Sequence, residues 1–235
     1  MFIKDMLNMH KQKFRTFAVL GFSSLACAVM AFLLRWYTQR PYIFLLWNLF
    51  LAWIPLFISF AVYFLHNNFP AGPRALKRAV LLSAGFLWLL FYPNASYIVT
   101  DLIHWKAGSS SLMWYDLLLY LSVAWLALVL GFISLYLLQE LIASCCGKPA
   151  GWLFVLGVSG LSSFGIYLGR FLRFNSWDIF THPAEMIRHI FDHLNDPYPH
   201  PRPLSFSLFF LAFSLFGYLI FYAFAHLHEE MQKGR

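Results

Sequence analysis

From Trp114 to Leu138 the chain reads WYDLLLYLSVAWLALVLGFISLYLL, 25 residues with a single charge at Asp116. As an α-helix this run would be about 37 Å long, against a bilayer hydrocarbon core of roughly 30 Å. It has no polar face of the kind a surface helix of a soluble domain carries. It reads as a membrane crossing. Working outward, five further runs have the same character, at about 16–35, 42–65, 78–100, 151–171 and 204–226. The breaks between them carry polar residues, Gly or Pro.

The whole-chain composition agrees. Of 235 residues, 60% are hydrophobic and 11% charged, where a soluble domain has about 25% charged. Aromatics make up 20% and the mean hydropathy is +0.64. Disorder is excluded, because it needs low hydrophobicity and high charge. A soluble globule is excluded because so little polar surface could not cover it. The predicted fold is all-α: one polytopic membrane domain over residues 1–235, a six-helix transmembrane bundle. The Lys11, Lys13, Arg15 cluster followed by an apolar run resembles a signal peptide. The run continues through Leu34, too long for that, so it is expected to stay as the first helix.

The net charge of +7 comes from 17 Lys and Arg against 10 Asp and Glu. No basic stretch is interleaved with stacking aromatics, so no nucleic acid is expected as a partner; membrane lipids are. With six crossings, about ten basic residues fall on the side of the termini and about seven on the other. The positive-inside bias then puts both termini in the cytoplasm, and a bacterial cytoplasmic (inner) membrane is the expected location. Three cysteines give no disulfide framework. Cys145 and Cys146 read as ordinary thiols, with S-acylation as the alternative.

The last outer loop contains Ile187, Ile190, Phe191 and Leu194 at helical spacing, with Glu185, Arg188 and Asp192 opposite. Pro183 suits a first turn. An amphipathic helix over 183–194, lying on the membrane surface, is predicted.

The polar residues inside or beside the apolar runs gather at one face. Asn48 lies near the start of the second run. Pro93, Asn94, Tyr97 and Asp101 close the third, Asp116 opens the fourth, and Arg170, Arg173, Asn175 and Asp178 close the fifth. Charges in or near a bilayer face a bundle interior or a wet cavity. The pattern suggests a cup open to one side, extracytoplasmic in this orientation. Pro93 is expected to break the third helix, with Asn94 or Ser96 capping a fresh short one, although a simple kink also accounts for it. Arg170 and Arg173, spaced i, i+3, are expected to share a helix face and to meet Asp101, Asp116 or Asp178. Gly165 and Gly169 form a small-x-x-x-small pair suited to close packing.

The chemistry follows from these types. Asp101, Asp116 and Asp178 are the acid/base candidates. Arg170 and Arg173 could hold an anion by guanidinium forks, while Asn48, Asn94, Tyr97 and Asn175 orient it. His104 near Asp101, and His189 with His193, are weak metal candidates. Spacing fixes no third ligand, so no metal site is assigned. No Gly-x-Ser-x-Gly or His-Glu-x-x-His signature is present.

Four runs taken together carry a family resemblance: Trp47 through Pro55, Tyr92 through Leu102, Trp114-Tyr115-Asp116, and Gly169 through Asp178. With them the chain resembles the bacterial membrane-protein family named domain of unknown function 1361, over roughly residues 42–226. Phe174 stands where that pattern would carry a second tryptophan. The resemblance implies a bacterial polytopic membrane protein and no particular activity. The leading expectation is recognition, with or without modification, of an anionic lipid or envelope group at the polar cup. The alternatives are a transporter or permease subunit and a non-catalytic assembly factor.

Overall fold

The computed structural model of the protein describes residues 2–68, 73–104, 113–174, 178–195 and 203–233. The helices are α1 (Phe2–Thr38), α2 (Ile43–Asn68), α3 (Arg74–Tyr97), α4 (Met113–Cys146), α5 (Lys148–Phe171), α6 (Asp178–Thr181), α7 (Pro183–Asn195) and α8 (Pro203–Lys233). A 3-10 turn, Ile98–His104, continues α3. The described residues contain no strand. Six of the helices are long and apolar enough to cross a membrane: α1 to α5 and α8.

The run that decided the fold class is also the centre of the bundle. In the apolar window of α4, 61% of residues are buried, against 17% in α1 and in α8. The upper half of α4 packs on α1 and α2 through Leu119, Val123, Ala127 and Leu130, which meet Leu45, Leu49, Ala52 and Leu56. The lower half, with Leu135 and Leu138, packs with Trp88 of α3, Val155 of α5 and Tyr218 of α8. Phe209 and Phe224 of α8 remain exposed, as side chains facing acyl chains do.

Two boundaries differ from the sequence expectation. The apolar run of α4 stops at Leu138, yet the helix continues to Cys146. Gln139 is buried and accepts a hydrogen bond from the Tyr218 hydroxyl, so its polarity is satisfied inside the bundle. The helix ends at Gly147, whose φ of 93° suits glycine and turns the chain directly into α5.

The second difference is at Pro93, which does not end α3. The helix runs through it to Tyr97, and Asn94 caps nothing new: its Nδ2 donates back to the Phe91 carbonyl at 3.0 Å. The change of conformation comes at Ile98, where the β-branched Ile98-Val99-Thr100 enters a 3-10 turn. The Thr100 hydroxyl donates to the Tyr97 carbonyl at 2.7 Å and closes the end of α3.

α7 is the amphipathic surface helix. Its described side chains are exposed apart from Met186, and Ile187 and Phe191 keep over half of their surface accessible. Such a stripe suits a helix lying in the membrane interface.

Candidate functional site

Five ends converge at one pole of the bundle: the C-termini of α1, α3 and α5 and the N-termini of α2 and α4. Two polar clusters occupy this pole.

The first surrounds Asp101. The 3-10 turn carries this carboxylate inward, where it is 2% exposed. Asn48, from the second turn of α2, donates Nδ2 to Oδ2 at 2.7 Å. Arg170, from the last turn of α5, donates Nη1 to Oδ1 at 3.1 Å, and its side chain is 13% exposed. The same guanidinium lies 5.9 Å from the centre of the Tyr97 ring, a cation–π distance. Three helices are thus tied through one buried carboxylate. Neither charge would be stable here alone, because a buried unpaired ion costs several kcal/mol.

Glycine sets the approach that makes this possible. A Cβ at Gly169 would lie 3.3 Å from Tyr97 Cε2, and one at Gly165 would lie 3.5 Å from Pro93 Cγ. Small residues at this spacing let α5 sit against α3, which brings Arg170 within reach of Asp101.

The second cluster surrounds Asp116, buried in the first turn of α4. Arg40 pairs with its Oδ2, and the Tyr42 hydroxyl donates to its Oδ1. The Thr38 hydroxyl donates to the Tyr42 oxygen at 3.4 Å. The link between α1 and α2 is thereby clasped to α4. Burial first, and then the hydrogen bond to Asp116, push the Tyr42 phenol above its ordinary range, so it stays a neutral donor. Tyr120, one turn along α4, is within electrostatic reach of both Asp101 and Asp116. Tyr42→Phe should leave one carboxylate oxygen poorly satisfied and lower stability by about 1–3 kcal/mol. Thermal unfolding of the detergent-solubilised protein measures this; an unchanged midpoint would show that Arg40 alone suffices.

Neither Arg40 nor Tyr42 stands out in the sequence pattern, where Arg40 counts only among the basic residues on its side. Their signal was topological: both lie in the link that must pass the start of the fourth run.

Arg173 corrects the expectation of a shared helix face. α5 ends at Phe171, and Arg173 has φ 59° beyond it. The Leu168 carbonyl accepts from both Leu172 N–H and Phe174 N–H, closing the helix before Arg173. Arg173 is exposed and makes no ion pair among the described residues, whereas Arg170 is bound to Asp101. Asp178 heads α6 and is half-buried. Asn175 lies outside the described residues, as do the side chains of His104 and His193. His189 is exposed, with its ring 5.9 Å from that of Phe174. Among the described residues, no three His, Cys, Asp or Glu side chains group as metal ligands.

Beside the Asp101 cluster a cavity of about 550 Å³ opens between α2, α3 and α5. Asn48, Asn94 and Tyr97 line it, with Phe174 and Met186 at the same pole. The Asn48 and Asn94 amide nitrogens are used by Asp101 and the Phe91 carbonyl, which leaves both carboxamide oxygens to accept from a ligand. The Tyr97 hydroxyl makes no hydrogen bond among the described residues.

A family model described as protein of unknown function (DUF1361) matches residues 47–219. The matched span holds Asn48, Asp101, Asp116, Arg170 and Arg173, and starts after Arg40 and Tyr42. No curated protein and no solved structure shows a match.

Proposed function

The chain belongs to the DUF1361 family of proteins of unknown function, and we propose that this multi-pass membrane protein binds the head group of an anionic, hydroxyl-bearing lipid or envelope group at the α2–α3–α5 pole. In this reading the pole is extracytoplasmic and both termini are cytoplasmic, as the basic N-terminus and the Arg74, Lys77, Arg78 loop favour. The observation that carries the reading is the division of labour between the arginines. Arg170 is neutralised by Asp101 and frames the site, while the exposed Arg173 directly precedes Phe174, which lines the cavity. Arg173 supplies the charge for an anion. The carboxamide oxygens of Asn48 and Asn94 accept from head-group hydroxyls, and the Tyr97 hydroxyl completes the set.

Binding is favoured over acid/base chemistry. Asp101 and Asp116 are each committed to an arginine and a further donor, which leaves neither poised to exchange a proton with a substrate. Transport is the weaker reading, because the polar groups collect at one pole. Deeper buried polar residues are mostly serines and the bonded Gln139, and a transport site needs access from both sides.

The test is lipid retention after extraction from bilayers of phosphatidylglycerol and phosphatidylcholine. Native mass spectrometry should find phosphatidylglycerol enriched on the protein. Arg173→Gln should reduce that enrichment about tenfold, as expected for losing one charge-assisted hydrogen bond. Arg173→Lys should restore part of it if charge dominates over the planar fork. Equal retention of both lipids by the wild-type protein would sink the reading.

A further inference from the structure

The cavity is polar at one end only. Below Asn48, Asn94 and Tyr97 its walls are Leu51, Leu89, Leu90, Leu161 and Phe164. The geometry of α3 and α5 explains this slot. The two helices run parallel, and Gly169 faces Tyr97 while Gly165 faces Pro93. One turn deeper the same register sets Leu161 opposite Leu89. The helices touch at the two glycines and again deeper, where the rings of Trp88 and Phe154 lie 5.8 Å apart, and the cavity lined by Leu89 and Leu161 lies between these contacts.

The slot also opens sideways. Leu161 lines it and is nevertheless 60% exposed, and Trp47 on the α2 side is 57% exposed. The opening lies along a membrane-spanning helix, at a level where the surrounding medium is hydrocarbon. From Gly169 to Leu161 the helix descends about 12 Å, less than half of a hydrocarbon core of about 30 Å. A volume near 550 Å³ falls in the range of small-ligand sites. A water-soluble anion would leave this apolar length unfilled. An acyl chain fills it and reaches it without leaving the bilayer.

We propose that the slot between α3 and α5 takes an acyl chain of the lipid whose head group lies at Asn48, Asn94, Tyr97 and Arg173, and that this lipid enters laterally from the bilayer. The inference rests on the head-group reading above and narrows its ligand from any anionic envelope group to one carrying a hydrocarbon chain. It separates the apolar walls, which select the chain, from the polar end, which selects the head.

The experiment uses the full-length protein in nanodiscs containing phosphatidylglycerol with a photoactivatable diazirine in one acyl chain. After illumination, labelled peptides are mapped by mass spectrometry. The expected result is labelling concentrated at Leu89, Leu90, Leu161 and Phe164. Leu161→Trp, which narrows the opening at an already exposed position, should lower that labelling about tenfold, one decade of occupancy. Leu89→Phe blocks the opposite wall and decides the matter if the tryptophan variant does not fold. Suppose instead that phosphatidylglycerol is retained and depends on Arg173, while label spreads over exposed α8 positions such as Phe209 and Phe216 and ignores both blocks. The acyl-chain inference is then overturned and the head-group reading stands. If retention shows no preference for phosphatidylglycerol and no dependence on Arg173, both fall together.

Discussion

Asp101→Ala is expected to lower the stability of the solubilised protein by about 3–5 kcal/mol, the cost of breaking a buried ion pair from one side. The reason is what it leaves behind. Arg170 has a side chain only 13% exposed, and without Asp101 its charge loses the carboxylate that neutralises it. Asn48 loses the acceptor for its amide at the same time. Asp101→Asn should cost less, because an amide oxygen can still accept from Arg170 or Asn48 while the charge is lost. Arg170→Met removes the other charge, and the double variant Asp101→Ala, Arg170→Met strands no ion. Thermal unfolding of the wild type, Asp101→Ala, Arg170→Met and the double variant forms a double-mutant cycle. The double variant should be more stable than the sum of the two single losses predicts. Simple additivity would mean that Asp101 and Arg170 are not coupled and that other contacts hold the end of α3 against α5.

The same cycle distinguishes framework from ligand contact. If Asp101 and Arg170 act by positioning, the double variant should regain part of its stability and still retain phosphatidylglycerol less well, because the end of α3 is no longer tied to α5. Arg173→Gln should show the opposite pattern: Arg173 is exposed and makes no ion pair among the described residues, so retention should fall while the melting temperature holds.

How much of this was legible in the sequence depended on whether a partner was needed to see it. The six crossings were legible because the bilayer imposes their length on each run separately. The end of α4 was not. Gln139 and Glu140 look like the edge of an apolar run until Tyr218 of α8, 79 residues away, is known to donate to Gln139. Hydropathy reads one helix at a time and cannot register such a bond. At the pole, alternation of direction was enough to bring Asn48, Asp101, Asp116 and Arg170 to one end. It could not say which acid meets which base. That choice follows from the close approach of α3 and α5 at Gly165 and Gly169, and from the link after Thr38, where Gln39 has φ 59° and turns the chain so that Arg40 reaches Asp116. Arg173 was misplaced for a related reason. Spacing of three residues implies a shared face only while the helix lasts. Nothing in Gly169-Arg170-Phe171-Leu172-Arg173 announces that a non-glycine residue will take the left-handed conformation.

Gly131→Leu is expected to cost about 3 kcal/mol or more, at the upper end of the range for overpacking a close helix contact. At this point α4 crosses α3, and a Cβ on residue 131 would lie 2.8 Å from the Ala95 Cβ. Neither atom can rotate away, because each is fixed to its own backbone. The two helix axes must move apart instead. α3 has little freedom to do so, since on its other side Pro93 and Tyr97 already meet Gly165 and Gly169. Displacing it shifts Asn94 and Tyr97 at the cavity and the turn that carries Asp101. Gly131→Ala should be milder, because alanine returns up to about 1 kcal/mol of helix propensity against the same clash. Gly157→Ala is the matched control: nothing lies within 4 Å of its Cβ position, so only the propensity gain remains and stability should rise slightly. Unfolding midpoints should therefore fall in the order Gly157→Ala, wild type, Gly131→Ala, Gly131→Leu. Retention of phosphatidylglycerol should fall along the last three, because the contact that fixes α3 also fixes the polar end of the cavity. If Gly131→Ala proved as stable as Gly157→Ala, α3 would be free to move away from α4. The cavity walls would then be too loosely held to select a ligand.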